Sequence, residues 1–177
     1  MKYKTLIILF AIALAVSVTA FRMDSDNHLI HEGMVEASVD NVWAAFTTKE
    51  GLESWMAAHA EIELKVGGKM STLYDPKGKI GDPKTIENTI LSFDPKRMLS
   101  IKVSKAPEGF PFPNAVKNMW TVIYFEKKDS RKTRVTEIDL GFGIDEESKK
   151  MREFFNRGNA FTLQQLQKRF APKMPKE

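Results

Sequence analysis

Apolar and polar positions along the chain change period several times, and each change marks an element. His28 to Ser38 reads as a strand running into a helix start. Ser38 or Asp40 caps that helix, and Val39, Val42, Trp43 and Phe46 fall at helical spacing. Lys49 to Met56 predicts a second short helix, entered near Gly51. The period then drops to two: Ile62, Leu64 and Val66 alternate with Glu61, Glu63 and Lys65, the pattern of a half-buried strand. Gly67-Gly68 signals a turn, and Lys69 to Asp75 returns. After a loop rich in Gly, Pro and Lys over 75–84, Thr85 to Phe93 and Met98 to Lys105 form a hairpin across Asp94-Pro95-Lys96-Arg97. Residues 106–117 read as a long ordered loop carrying Phe110 and Phe112, either a gate over a cavity or a loop pinned to the core. Asn118 to Glu126 and Thr133 to Phe142 form a last hairpin, and Glu146 to Phe170 a long helix. Asp145 caps this helix, acids sit in its first turn, and Lys168 and Arg169 sit in its last, all in line with the helix dipole.

One strand, two short helices, about six antiparallel strands and one long helix make an α+β order. The long helix carries Met151, Phe155, Thr162, Leu166 and Phe170 along one stripe, with Phe154, Phe161 and Leu163 beside it. So wide an apolar surface must lie on something, and the sheet is the only large partner. A curved antiparallel sheet wrapped around the C-terminal helix is the expected architecture, with a cavity wherever side chains leave the space between them unfilled.

The first twenty residues stand apart. Lys2 and Lys4 precede an unbroken apolar run from Leu6 to Val16, and Val18-Thr19-Ala20 offers a cleavage site before Phe21. This is the pattern of a signal peptide, and the run is shorter than the roughly 20 residues of a spanning helix. The expected organisation is a signal peptide over 1–20, a linker over 21–27, one domain over 28–171 and a tail over 172–177. The expected location is a bacterial periplasm or the cell exterior, with no stable membrane insertion after cleavage. The two lysines of the leader supply half of the formal charge of +4, so the remaining chain carries +2 and no clustered basic face. A nucleic-acid partner is therefore not expected. The absence of cysteine excludes thiol catalysis, thiolate metal sites and disulfide staples.

Several short motifs occur in a telling order: Val42-Trp43, Leu52-x-x-Trp55, Val66-Gly67-Gly68 and Asp94-Pro95-Lys96-Arg97-Met98-Leu99. Together they resemble the SRPBCC (START-like) superfamily, and most closely its branch named for activators of the Hsp90 ATPase, the AHSA1-like domains. The resemblance covers about residues 28–171. It implies a helix-grip, Bet v 1-like fold with a deep apolar cavity, among relatives that include lipid-transfer domains, hormone-binding proteins and polyketide cyclases. The chaperone stimulation implied by the family name sits poorly with export, because Hsp90 and ATP are cytosolic.

No phosphate loop, dinucleotide fingerprint, serine nucleophile elbow or zinc spacing is present, so neither a metal nor a cofactor is expected. The residues expected to bind ligand are Trp55, Met70, Tyr74, Glu87, Met98, Phe110, Phe112, Trp120, Phe154 and Phe161, with Met56 and Met119 in the same aromatic and methionine set. His59 and Glu87 are the weak candidates for a catalytic base. Either Glu87 or Asn88 must face inward from its strand. His28 and His31 point to opposite faces and read as exposed edge residues. Glu137 and Asp139 share one strand face, with Arg134, Thr136, Ile138, Leu140 and Phe142 on the other; paired carboxylates in a cavity could serve acid–base work, but the face reads as the solvent side. Both faces of 118–126 are apolar, which gives it two buried sides or one side open to a partner, a second copy of the chain included. The leading expectation is an exported protein that binds an apolar or amphipathic small molecule, such as a lipid or aromatic compound. A cyclase- or hydrolase-type enzyme in the same cavity and a protein-interaction module are the alternatives.

Overall fold

The computed structural model describes residues 27–172. The expected signal peptide, all of the linker but Asn27, and all of the tail but Pro172 lie outside the described residues. In chain order the elements are β1 (Leu29–Val35), α1 (Val39–Thr47), α2 (Lys49–Glu53), β2 (His59–Ile62), β3 (Lys69–Leu73), β4 (Ile86–Asp94), β5 (Met98–Lys105), a 3₁₀ turn (Ala115–Asn118), β6 (Trp120–Lys127), β7 (Thr133–Leu140) and α3 (Glu146–Phe170). The seven strands form one antiparallel sheet in the order β1-β7-β6-β5-β4-β3-β2, so the first strand closes against the last. With α3 on its inner face, this curved sheet is the expected helix-grip fold.

Local chemistry sets the element ends. Ser38 Oγ accepts from the Asn41 amide, and Thr48 Oγ1 accepts from the Gly51 amide, so α1 and α2 are each capped by a hydroxyl. The two helices meet so closely that a Cβ on Gly51 would lie 2.0 Å from the Ala44 carbonyl oxygen, a gap only glycine tolerates. Asp145 Oδ1 accepts from the Ser148 amide and starts α3. Irregularities in the β4–β5 register at Glu87/Asn88 and Ile90/Ser92 bend the sheet.

Two apolar clusters make the core. The larger gathers Val35, Val42, Phe46, Leu52, Ile90, Leu99, Phe125, Val135 and Leu166 beneath α1 and α2. The smaller, at the other end, gathers Leu29, Val116, Met119, Phe142 and Met151. Along α3 the fully buried apolar residues are Met151 and Leu166. They are fifteen positions apart, about 22 Å of helix. The helix is therefore anchored at both ends and spans the space between.

Three expectations need correction. The alternating stretch 61–66 is not one strand. β2 ends at Ile62, the Lys65 amide donates to the Glu63 carbonyl, and Gly67 and Gly68 exchange backbone bonds with Ile90 of β4. Leu64 and Val66 are left exposed. β7 ends at Leu140; Gly141 then takes a positive φ and turns Phe142 into the smaller cluster. The long helix's stripe is narrower than its composition, for Phe161 is 60% exposed.

Candidate functional site

Where the two clusters meet, a cavity of about 500 Å³ remains between the sheet and the middle of α3. Its size falls in the range of small-molecule sites. Met70, Ile101, Val103, Met119 and Ile123 line the sheet side, Phe46 and Met56 the α1–α2 end, and Phe154, Phe155, Gly158, Asn159 and Thr162 the helix side. Phe110 closes one edge. It stacks edge-on with Phe112 and Phe154 at ring centroids 5.7 and 5.9 Å apart, and Phe154 and Phe155 meet at 5.5 Å. Edge-to-face contacts of this kind hold the Pro-rich loop in place. Glu147, in the first turn of α3, reinforces them: its Oε1 accepts from the Asn114 and Ala115 amides at 2.8 and 3.1 Å.

Strand parity decides which polar groups reach the cavity. On β7, Val135, Glu137 and Asp139 share the inner face, opposite Phe125, Ile123 and Thr121 of β6. Glu137 and Asp139 thus project into the cavity, and the reading of that face as the solvent side is overturned. Among the described residues they are the only acidic side chains on the wall, and no Lys, Arg or His joins them. Asp139 is fully buried; its Oδ1 accepts from Thr121 Oγ1 at 2.6 Å and its Oδ2 from Asn159 Nδ2 at 2.5 Å. Burial pushes its carboxyl up, against the pull of the Thr121 hydrogen bond, His31 and Asn159. Among the described residues no hydrogen-bond donor or cation reaches the Glu137 carboxyl. Burial, with the neighbouring Asp139 charge, pushes Glu137 up to about 8. At neutral pH its carboxyl is therefore mostly protonated. Burial and the Glu137 charge also raise the Tyr74 phenol, which stands at the cavity's mouth.

Of the residues expected from sequence, Met70, Tyr74, Phe110 and Phe154 line the cavity, as do Met56 and Met119. The other expected binders do not, each for an identifiable reason. Trp55 is a core residue: its ring meets Phe46 at 5.0 Å and its Nε1 donates to the Ala45 carbonyl. Glu87 is on the outer face, bound to Lys69 at 2.8 Å and near Lys105, and Lys69 holds its carboxyl below the usual range. Asn88 takes the inward position instead. Met98 and Trp120 lie on the outer face opposite Tyr124 and Leu140. Phe112 packs behind Phe110, and Phe161 points away. His59 Nε2 lies 3.2 Å from the Pro76 carbonyl and pins the following loop, away from the cavity. His31 is no exposed edge residue either. It faces α3, with Nε2 3.1 Å from the Asn156 carbonyl and a buried Nδ1 that has no partner among the described residues. Among the described residues no helix is long and apolar enough to cross a membrane.

The sequence model for "Activator of Hsp90 ATPase homolog 1-like protein" matches residues 36–171. Among solved structures, the chain is similar to protein MLL2253 from Mesorhizobium loti, with 15% identity and a TM-score of 0.62 over 80% of this chain and 95% of that one. It is similar to the Aha1 dimer from Colwellia psychrerythraea, with 14% identity and a TM-score of 0.61 over 81% and 95% of the two chains. Protein NE0264 from Nitrosomonas europaea gives 20% identity and 0.60 over 83% and 96%. At such identities the likeness speaks for the fold alone. No curated protein matches the chain.

Proposed function

The chain belongs to the family of activator of Hsp90 ATPase homolog 1-like proteins, and from that premise we propose that it binds an apolar or amphipathic small molecule between its sheet and its long helix. One observation carries the reading: a largely apolar cavity of about 500 Å³ with a few convergent polar groups on its wall. Affinity would come from burial of apolar guest surface, at roughly 25 cal/mol per Å². Native mass spectrometry of the protein purified from its own host, followed by organic extraction, tests this. A compound at near-unit stoichiometry is expected. A protein that emerges empty and also ignores neutral fluorescent apolar probes would remove the cavity from the account. Export belongs to the same proposal, with the first twenty residues removed; fractionation and a mature mass beginning at Phe21 check it.

Two other readings have an observation each. Glu137 is an acid with a pKa near the operating range of a general acid or base, so a catalytic reading rests on Glu137 and Asp139 rather than on His59 or Glu87. The outer face is unusually apolar, with Ile30 55%, Tyr124 47% and Trp120 36% exposed. The similar Colwellia protein is a dimer, and self-association through this face is the matching proposal. Sedimentation of the native chain and of Tyr124→Lys tests it: a dimer that the substitution leaves intact places the interface elsewhere.

A further inference from the structure

The cavity's polar groups restrict what it can hold. Among the described residues its wall carries two acids and no base. A fatty acid or other anionic guest would bring a carboxylate beside two acids into a site with no cation among the described residues to receive it, at a steep desolvation cost. A guest without any polar group would leave the Glu137 carboxyl without a partner. Asp139 differs in already having Thr121 and Asn159 as donors, one on each oxygen, and it is fully buried. A guest cation satisfies Glu137 through a charge-assisted hydrogen bond, about twice as strong as a neutral one, and the nearby Asp139 carboxyl favours the same charge. The aromatic wall fits the same guest. Phe155 lies one helical turn from Asn159, whose side chain holds Asp139, and Phe110 and Phe154 line the same space. Aromatic faces attract cations, and carboxylates beside aromatic rings suit an ammonium group.

We propose that the cavity takes a hydrophobic amine, its ammonium seated on the Glu137 carboxyl next to the buried Asp139 and its apolar body against Met70, Ile101 and the Phe110–Phe154 wall. The inference rests on the ligand-binding reading above and narrows it to one chemical class. Three ionisable groups surround Glu137: Asp139 on its own strand, His31 in register on β1, and Tyr74 just beyond the end of β3. From α3, the cavity receives Asn159 and Thr162 but no charged side chain, and Arg152 reaches the His28 carbonyl. Seating an ammonium ionises the Glu137 carboxyl, whose proton passes to solvent.

The test is displacement of N-phenyl-1-naphthylamine, a neutral fluorescent probe, by dodecylamine, dodecanol and dodecanoate at pH 7. The amine is expected to displace the probe at concentrations at least about tenfold below the alcohol, with the carboxylate weakest. In Glu137→Gln the amine's advantage over the alcohol is expected to fall to about unity. Calorimetry of the unsubstituted protein in two buffers of different ionisation enthalpy supplies a readout independent of any variant: amine binding should release protons near pH 7, and alcohol binding should not. Equal displacement by amine and alcohol, or amine binding without proton release, overturns the assignment while leaving the cavity reading intact. Failure of the probe and all three compounds to bind overturns both.

Discussion

A carboxyl group that stays protonated at neutral pH makes stability depend on pH in an unusual sense. Burial raises Glu137 to about 8, whereas the unfolded chain ionises it near 4.5. Below the lower value both states hold the proton and nothing is lost. Between the two, only the folded state holds it, so the unfolded state gains by ionising and stability falls as pH rises. Asp139 is shifted in the same direction. Urea titrations of the ligand-free protein should show a loss on the order of 3 kcal/mol from pH 5 to pH 8, after allowing for water in the cavity. Glu137→Gln should remove most of that slope and be the more stable protein at pH 8. A wild-type stability that is flat across this range would mean that Glu137 is well solvated. The sequence made the pairing of Glu137 with Asp139 legible, through their spacing of two, but not the face they occupy. The opposite face, with Ile138 and Leu140, is the more apolar of the two and reads as the inner one. That rule fails here because the inner face borders a cavity that tolerates polar groups, while the outer face leaves apolar ones in solvent. The one available hint was Val135, which shares the acids' parity and belongs to the main cluster.

α3 bears on the fold at its ends and on the site at its middle. Leu166 is fully buried in the main cluster, so Leu166→Ala should cost about 3 kcal/mol. Phe161 looks equally structural in sequence but is mostly exposed. Phe161→Ala should change stability by no more than about 0.5 kcal/mol, and chemical denaturation of both variants separates the two roles. Gly158 lies on the cavity side in mid-helix, and a Cβ there would meet open space. Gly158→Ala should therefore stabilise by about 0.8–1 kcal/mol through helix propensity alone. A thermal melt showing a loss instead would mean that the helix approaches something at this position. Long elements with strong periodicity were the legible ones: α3 has the bounds that its caps and its terminal charges predict. The stretch 61–66 was not, because Gly67 and Gly68 bond to β4 across the sheet. A contact so distant in sequence leaves no local pattern.

At the scale of the molecule, the order of elements and the wide apolar helix were enough to place α3 on a curved sheet. The cavity itself was expected only in general terms, since side-chain volumes along a sequence do not say where packing fails. What the sequence left undecided was whether the Phe110 loop is a gate or a fixture. Glu147 settles this in favour of a fixture, joining the loop's Asn114 and Ala115 amides to the first turn of the helix. Loop and helix end then move as one body, which has a kinetic consequence. If the cavity takes a guest, the way in would be past the exposed Tyr74, while the loop-bound wall stays shut. Glu147→Ala should unlock a second passage. Stopped-flow traces with a neutral probe should show association and dissociation both accelerating several-fold while their ratio barely moves. If only dissociation quickens, Glu147 instead shapes the bound state.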